Sequence, residues 1–319
     1  MKKIAILTSG GDAPGMNAAI RAIVRSSIKN NIEAYGIMYG YDGLIDNDFV
    51  KLDISSVGDI IHRGGTILKT ARSDRFRTEE GQYRAIENLT TNNIDGLIVI
   101  GGDGSLRGAK DLTTKGINVI VLPATIDNDM GSTDFTIGFD TAVNTVLDAI
   151  SKIRDTGCSH DRTSIIEVMG RSCGDIALQA GLAGGADFIL IPELPIDLIA
   201  LSEKIKRSYA RDKKHSIIVK AEGVSITNDK LAKYINDKVG EEARITVLGY
   251  LQRGGSPTNR DRVIASLMGA AAVDLVKNDD GNKVVVWSCN DIDYIDIDKA
   301  VTLEREADLS LLSLIMDLS

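Results

Sequence analysis

Short apolar runs recur along the chain at 4–7, 34–38, 97–100, 119–122, 164–168, 188–191, 216–219, 245–248 and 283–287, each continuous rather than alternating. Stretches with helical spacing lie among them, at 142–153, 176–183 and 201–210, and after residue 16 through Ile20, Ile23, Val24 and Ile28. A strand that is apolar at every residue is covered on both faces, which is the condition of a parallel sheet flanked by helices. The fold class is therefore α/β. The strands are too many for one ordinary sheet. The expectation is two Rossmann-like three-layer α/β/α lobes with mainly parallel sheets and an active-site cleft between them. The larger lobe is expected to take 1–138 and about 252–305, and the smaller 139–251 with the C-terminal tail. The switch falls near Gly138, and the glycine-rich 249–255 segment reads as the return crossing. The acidic run at 291–298 alternates with Ile and Tyr, and reads as an edge strand or solvated tail. A calcium loop does not fit, because its turn glycine is missing.

The 319 residues carry 43% hydrophobic and 26% charged side chains, ordinary for a globular protein, with a net charge of −8. That balance argues against nucleic acid as a partner but not against small anions, since arginines can be concentrated locally. Three well-separated cysteines, Cys158, Cys173 and Cys289, give neither a disulfide framework nor a metal-ligand spacing and suit a reducing cytoplasm. The first residues run directly into a strand pattern without a signal-peptide profile, and no apolar run approaches the roughly 20 residues of a membrane span.

Two strand ends carry most of the chemistry. The run at 94–100 is followed by Gly101-Gly-Asp-Gly-Ser105, and the run at 119–123 by Thr125-Ile-Asp-Asn-Asp129. The first sets Asp103 among glycines, where backbone N–H groups approach phosphates closely. The second sets Asp127 and Asp129 beside a hydroxyl and an amide. One carboxylate for a metal and another to take a proton is what phosphoryl transfer to an alcohol requires. A third loop, Thr8-Ser-Gly-Gly-Asp-Ala-Pro-Gly-Met-Asn17, joins a strand to a helix without the Rossmann or Walker A spacing. Alone it reads as well as a tight turn. Beside the 101–105 loop, at the carboxyl ends of parallel strands, it reads as a phosphate site. Gly64-Gly-Thr-Ile-Leu-Lys-Thr-Ala-Arg72 adds a glycine pair and an arginine. Arg72, Arg75 and Arg77 are either a solvated basic loop or a source of charge for a transferred group.

These loops, with Met169-Gly-Arg171 and Leu251-Gln-Arg-Gly-Gly-Ser-Pro257, resemble the bacterial ATP-dependent 6-phosphofructokinases. The resemblance runs from residue 1 to about 275, and the last 40 or so residues carry little of it. It implies transfer of the γ-phosphoryl of ATP to the 1-hydroxyl of fructose 6-phosphate. Asp127 is then the general base, with Thr125, Arg171 and the Gly11 N–H stabilising the transferring group. Asp103 holds Mg²⁺, supported by Asp129. The nucleotide falls to Gly11, Tyr41, Arg72, Ser73, Phe76, Arg77, Gly102, Asp103, Gly104, Ser105 and Gly108. Arg162, Arg244 and Arg253 clamp the sugar phosphate, since a guanidinium fork binds phosphate oxygens bidentately. Tyr250, Thr125, Ile126, Asp127, Met169, Gly170, Arg171 and Glu222 complete the sugar side. In the family Arg162 and Arg244 reach in from a neighbouring subunit, so a homotetramer with shared active sites is implied. An effector site for ADP, GDP or phosphoenolpyruvate is implied at Arg21, Arg25, Ile54, Asp59, Arg154, Gly185, Asp187, Arg211, Lys213, Lys214 and His215.

Several positions depart from the family pattern. Tyr250 stands where His is common, Ser73 where an aromatic residue often flanks adenine, Ile54 where a base is usual, and Asp187 where Glu is usual. Weaker sugar-phosphate contact and blunted regulation are expected from them. Pyrophosphate users tend to place an acid at position 104 and a lysine at 124. Gly104 and Ala124 leave room for a nucleotide tail instead. The alternatives are a pyrophosphate-dependent enzyme and a non-catalytic paralogue that binds nucleotide and sugar phosphate. The latter conflicts with the presence of Asp103, Asp127 and Arg171. A kinase of the NAD type explains the Gly-Gly-Asp-Gly loop but not residues 125–129 or the arginines.

Overall fold

In a computed structural model that describes residues 1–318, the chain divides into two compact units, Met1–Thr141 with Arg253–Arg305, and Ala142–Gln252 with residues 306–318. The first begins β1 (Lys3–Ser9), α1 (Met16–Lys29), β2 (Glu33–Ile37), α2 (Gly40–Ile45) and β3 (Phe49–Leu52). It continues with α3 (Glu79–Thr91), β4 (Gly96–Gly101), α4 (Asp103–Thr113) and β5 (Val119–Pro123), and α5 (Phe139–His160) carries the chain out of it. The second unit contains β6 (Thr163–Val168), α6 (Asp175–Ala183), β7 (Phe188–Leu190), α7 (Leu198–Ala210), β8 (Ser216–Ala221), α8 (Asn228–Val239) and β9 (Arg244–Val247). The chain then returns to the first unit through α9 (Asn259–Lys277), β10 (Lys283–Ser288), β11 (Asp291–Asp296) and α10 (Ile297–Ala300). It ends with α11 (Leu309–Leu318) in the second.

The first unit holds a seven-stranded sheet of order β11-β10-β5-β4-β1-β2-β3. Its interior pairings are parallel, and only the edge strands β3 and β11 run antiparallel to their neighbours. Every residue of β4 and β5 is buried, as the continuous apolar runs demand. The order reverses between β1 and β4, and the loops leaving these strands diverge there to open a crevice at their carboxyl ends. Behind the sheet, α1 lies on α9, where Gly269 lets the two backbones approach: a Cβ there would sit 2.9 Å from the Ala19 carbonyl. The second unit holds a wholly parallel sheet of order β7-β8-β6-β9.

The crossing from the first unit falls after Thr141, close to Gly138. The acidic run at 291–298 forms the edge strand β11, with Ile292 and Ile295 inward and its aspartates exposed, which discourages further strand pairing. β3 has no counterpart among the apolar runs of the sequence, because four residues with two of them exposed make a weak apolar signal. Among the described residues, no helix is long and apolar enough to cross a membrane.

Candidate active site

In the first unit, three loops meet at the carboxyl ends of β1, β4 and β5. The loop after β1 is anchored from below: the Thr8 hydroxyl donates to the Lys69 carbonyl at 2.7 Å, and Thr70 donates to the Gly10 carbonyl at 2.8 Å. Gly15 precedes α1 at φ 109°, a left-handed conformation that favours glycine. No side chain caps α1 or α4 at the N-terminus, so both helix ends present backbone donors of the kind anions seek. Ser105 ties the β1 and β4 loops together by donating to the Ser9 carbonyl at 3.1 Å. A Cβ on Gly11 would sit 2.0 Å from Arg253 Nη1, so the guanidinium lies directly over that glycine. By contrast, a Cβ on Gly104 would meet nothing within 4 Å.

Asp103 opens α4 with a half-exposed carboxylate that accepts from Arg107 Nε at 2.9 Å, one helical turn on. Gly102 lies against Thr125, a Cβ there reaching Thr125 Cβ at 3.3 Å, so the β4 and β5 loops touch. Asp127 is 1% exposed. Its backbone N–H donates to the Thr125 hydroxyl at 3.2 Å. The loop is held from behind: Asn128 Oδ1 accepts the Thr136 N–H at 3.0 Å, and the Thr136 hydroxyl donates to the Thr125 carbonyl at 2.6 Å. Ile126 is buried, and Asp129 is half-buried.

The remaining nucleotide candidates divide. Tyr41 and Phe76 stack at 4.0 Å between centroids and are each 4% exposed, members of the unit's apolar core. The Tyr41 hydroxyl donates to the Ser105 carbonyl at 2.8 Å, against Gly108, and burial pushes the phenol well above its ordinary pKa. These rings shape the loop more than they present a face. Ser73 donates to Asp42 at 2.5 Å. Arg75 is bound bidentately by Asp46 at 2.9 and 2.7 Å, and that hydrogen-bonded pairing lowers the Asp46 pKa. All three loop arginines are exposed, and Arg77 faces Asp74 at 3.8 Å.

Three supports leave no local trace in the sequence. Asn17, 2% exposed, donates to the Arg63 and Gly64 carbonyls and accepts from the Ile67 N–H at 2.8 Å, fixing the loop that leads to Arg72. Thr136 is the second. Asp261, at the start of α9, is the third. It accepts from the N–H groups of Gly138 and Thr141 at 2.8 Å each and from the Thr141 hydroxyl at 2.5 Å. Its own cap, Thr258, is visible as a Thr three residues ahead.

In the second unit, Met169, Gly170 and Arg171 follow β6. The Met169 N–H donates to Gln252 Oε1 at 3.1 Å, and the Arg171 N–H to Glu222 Oε1 at 2.9 Å. Arg162 is half-buried just before β6, Arg244 is exposed beside Glu242 at 3.1 Å, and Tyr250 is 82% exposed. The effector candidates of this unit gather around Asp187, which is 5% exposed. Its carboxylate accepts from Lys213 and from the Ile217 N–H at 2.8 Å, while Arg154 donates to the carbonyls of Gly184 and Gly185. Arg211 is exposed and His215 half-buried, and Lys214 faces Asp212 at 3.7 Å. In the first unit Arg21 is half-buried and Arg25 exposed on α1, Ile54 is 54% exposed, and Asp59 faces His62 at 3.7 Å.

Glycine loops and bare helix ends at a parallel-sheet switch point, with a buried carboxylate beside a hydroxyl, define an α/β phosphotransferase. The phosphofructokinase family model matches residues 3–276, and the chain belongs to that family. It is similar to the ATP-dependent 6-phosphofructokinase of Oceanobacillus iheyensis, 54% identical over 319 residues and the full length of both chains. It is also similar to that of Alkaliphilus metalliredigens, 57% identical over 97% of this chain and 96% of the relative. Among solved structures, the phosphofructokinase of Saccharomyces cerevisiae superposes with a TM-score of 0.90 at 33% identity. It covers all of this chain, which spans 48% of the yeast chain. The family model ends at 276, yet the Oceanobacillus relative aligns to the last residue. The family model thus ends where the sequence resemblance does; most of the final 40 or so residues, through Arg305, belong to the first unit and complete its sheet.

Proposed function

We propose that this chain transfers the γ-phosphoryl group of ATP to the 1-hydroxyl of fructose 6-phosphate, giving fructose 1,6-bisphosphate and ADP, the committed step of glycolysis in the cytoplasm. The observation that carries this reading is the buried Asp127, set beside the Thr125 hydroxyl on a loop that touches the Gly102–Gly104 phosphate cradle. As the sugar oxygen attacks phosphorus, its proton passes to the Asp127 carboxylate and the β,γ-bridging oxygen leaves with ADP. Thr125, Arg171 and the Gly11 N–H offset the charge on the transferring group. Arg253, over Gly11, holds a cation against that loop.

Asp103 and Asp129 fit Mg²⁺ by donor chemistry, being hard oxygens on adjoining loops. When bound, it supplies neutralisation of phosphate charge.

In the second unit, Arg162 and Arg244 take the 6-phosphate, with Tyr250 beside them, and Glu222, Met169 and Gly170 line the sugar. Arg162 and Arg244 act on the neighbouring subunit's substrate within a homotetramer. The cluster around Asp187, with Arg21 and Arg25, takes ADP, GDP or phosphoenolpyruvate.

The open space beside Gly104 favours ATP over pyrophosphate, because an acidic side chain there would occupy the place of the α-phosphate. A coupled assay with fructose 6-phosphate, Mg²⁺ and either donor tests the reading. Turnover on the order of 1–100 s⁻¹ with ATP and little with pyrophosphate is expected. Preference for pyrophosphate overturns the donor assignment, and silence with both overturns the activity.

A further inference from the structure

One row of the second unit's sheet holds an ion pair. Strand register places Leu190, Lys220, Glu167 and Val247 side by side across β7, β8, β6 and β9. The row two residues earlier is Phe188, Ile218, Ile165 and Ile245, apolar throughout. Lys220 is 2% exposed, and its ammonium donates to Glu167 Oε2 at 2.8 Å. Glu167 is itself mostly buried, its side chain 20% exposed. Removing either partner leaves an uncompensated charge inside the sheet.

The charged row lies directly behind the residues assigned to the sugar. Successive residues on one face of a strand are two apart, so Met169 and Glu222 come next after Glu167 and Lys220. At that level the Glu222 N–H donates to the Val168 carbonyl at 2.8 Å, and Glu222 Oε1 accepts the Arg171 N–H at 2.9 Å. Glu167 also fixes the third strand, its carbonyl accepting the Leu248 N–H at 3.1 Å. The ion pair therefore clamps β6 to β8 one step before both strands release Met169, Arg171 and Glu222.

We infer that Lys220 is a positioning residue for the sugar-phosphate side of the reaction, acting through Glu167 to fix the exit of β6 and β8 and so the placement of Met169, Arg171 and Glu222. This rests on the function proposed for the chain. Lys220→Met keeps length and volume but strands the Glu167 charge. Relief comes by drawing Glu167 toward water and loosening the β6 exit.

The test combines steady-state kinetics with calorimetric binding of fructose 6-phosphate to the full-length wild type, Lys220→Met, Lys220→Arg and the double variant Lys220→Met/Glu167→Leu. Lys220→Met is expected to raise KM and Kd for fructose 6-phosphate about tenfold or more, with KM for ATP within about twofold. Lys220→Arg, which retains the charge, and the double variant, which removes both charges, are expected to return within about threefold of wild type. An unchanged Kd in Lys220→Met, a parallel rise in KM for ATP, or a double variant as impaired as the single one overturns the inference while the activity stands. A wild type that neither binds nor turns over fructose 6-phosphate overturns both.

Discussion

Asp127 shows how a candidate catalytic carboxylate can be legible in sequence while its support is not. The strand-to-loop transition at 123–125 and the Thr-x-Asp spacing locate it. Nothing local shows that Thr136 and Asn128 brace the loop, because that bracing joins side chains to backbone groups up to eleven residues away. Asn17 is similar, reaching 46 to 50 residues along the chain. The sequence likewise ends the apolar run of β8 at residue 219, since a lysine normally marks departure from the core. Lys220 stays inside because its partner is on another strand. If Asp127 is the base, Asp127→Ser should lower kcat by roughly 10²–10⁴-fold while calorimetry still finds fructose 6-phosphate bound. A kcat within tenfold of wild type would reassign the base.

Among the elements, α9 carries a titrating anchor. Burial raises the Asp261 pKa from 3.8 to about 6, although hydrogen bonds from Thr141 and Gly138 hold it back. The folded carboxyl is thus the more easily protonated one. Its stabilisation is complete below the unfolded pKa and is lost as pH rises through about 6. Asp261→Asn removes that dependence while retaining one acceptor. Between pH 4.5 and pH 7 the wild type should lose about 2 kcal/mol relative to the variant. Urea unfolding at the two pH values measures this, and a constant difference between the proteins would contradict it. The elements themselves are largely legible, since continuous apolar runs mark interior strands directly. β3 is not, because an edge strand with one exposed face needs few apolar residues.

At the scale of the molecule, the two-unit division follows from a strand count too large for one sheet, whereas the boundary depends on where α5 changes neighbours and so lies a few residues from its sequence estimate. Regulation belongs to this scale as well. At the effector positions proposed above, Ile54 is an exposed apolar side chain rather than a cation, and the Asp187 carboxylate is already engaged by Lys213 and the Ile217 N–H. Phosphoenolpyruvate should accordingly inhibit weakly, and half-inhibition at sub-millimolar concentration in the coupled assay would show otherwise.

The return of residues 253–305 to the first unit has a consequence for synthesis on the ribosome. The second unit's whole sheet, from β6 to β9, emerges as one uninterrupted stretch and can close as soon as it is made. The first unit is begun earlier yet cannot finish. Until α9 and β10 appear, the α1 face and the free edge of β5 wait uncovered while all of 142–252 is translated. The half assigned to the nucleotide is therefore the first to be started and the one whose sheet waits longest to be completed, and it is the half a nascent-chain chaperone would have most reason to hold.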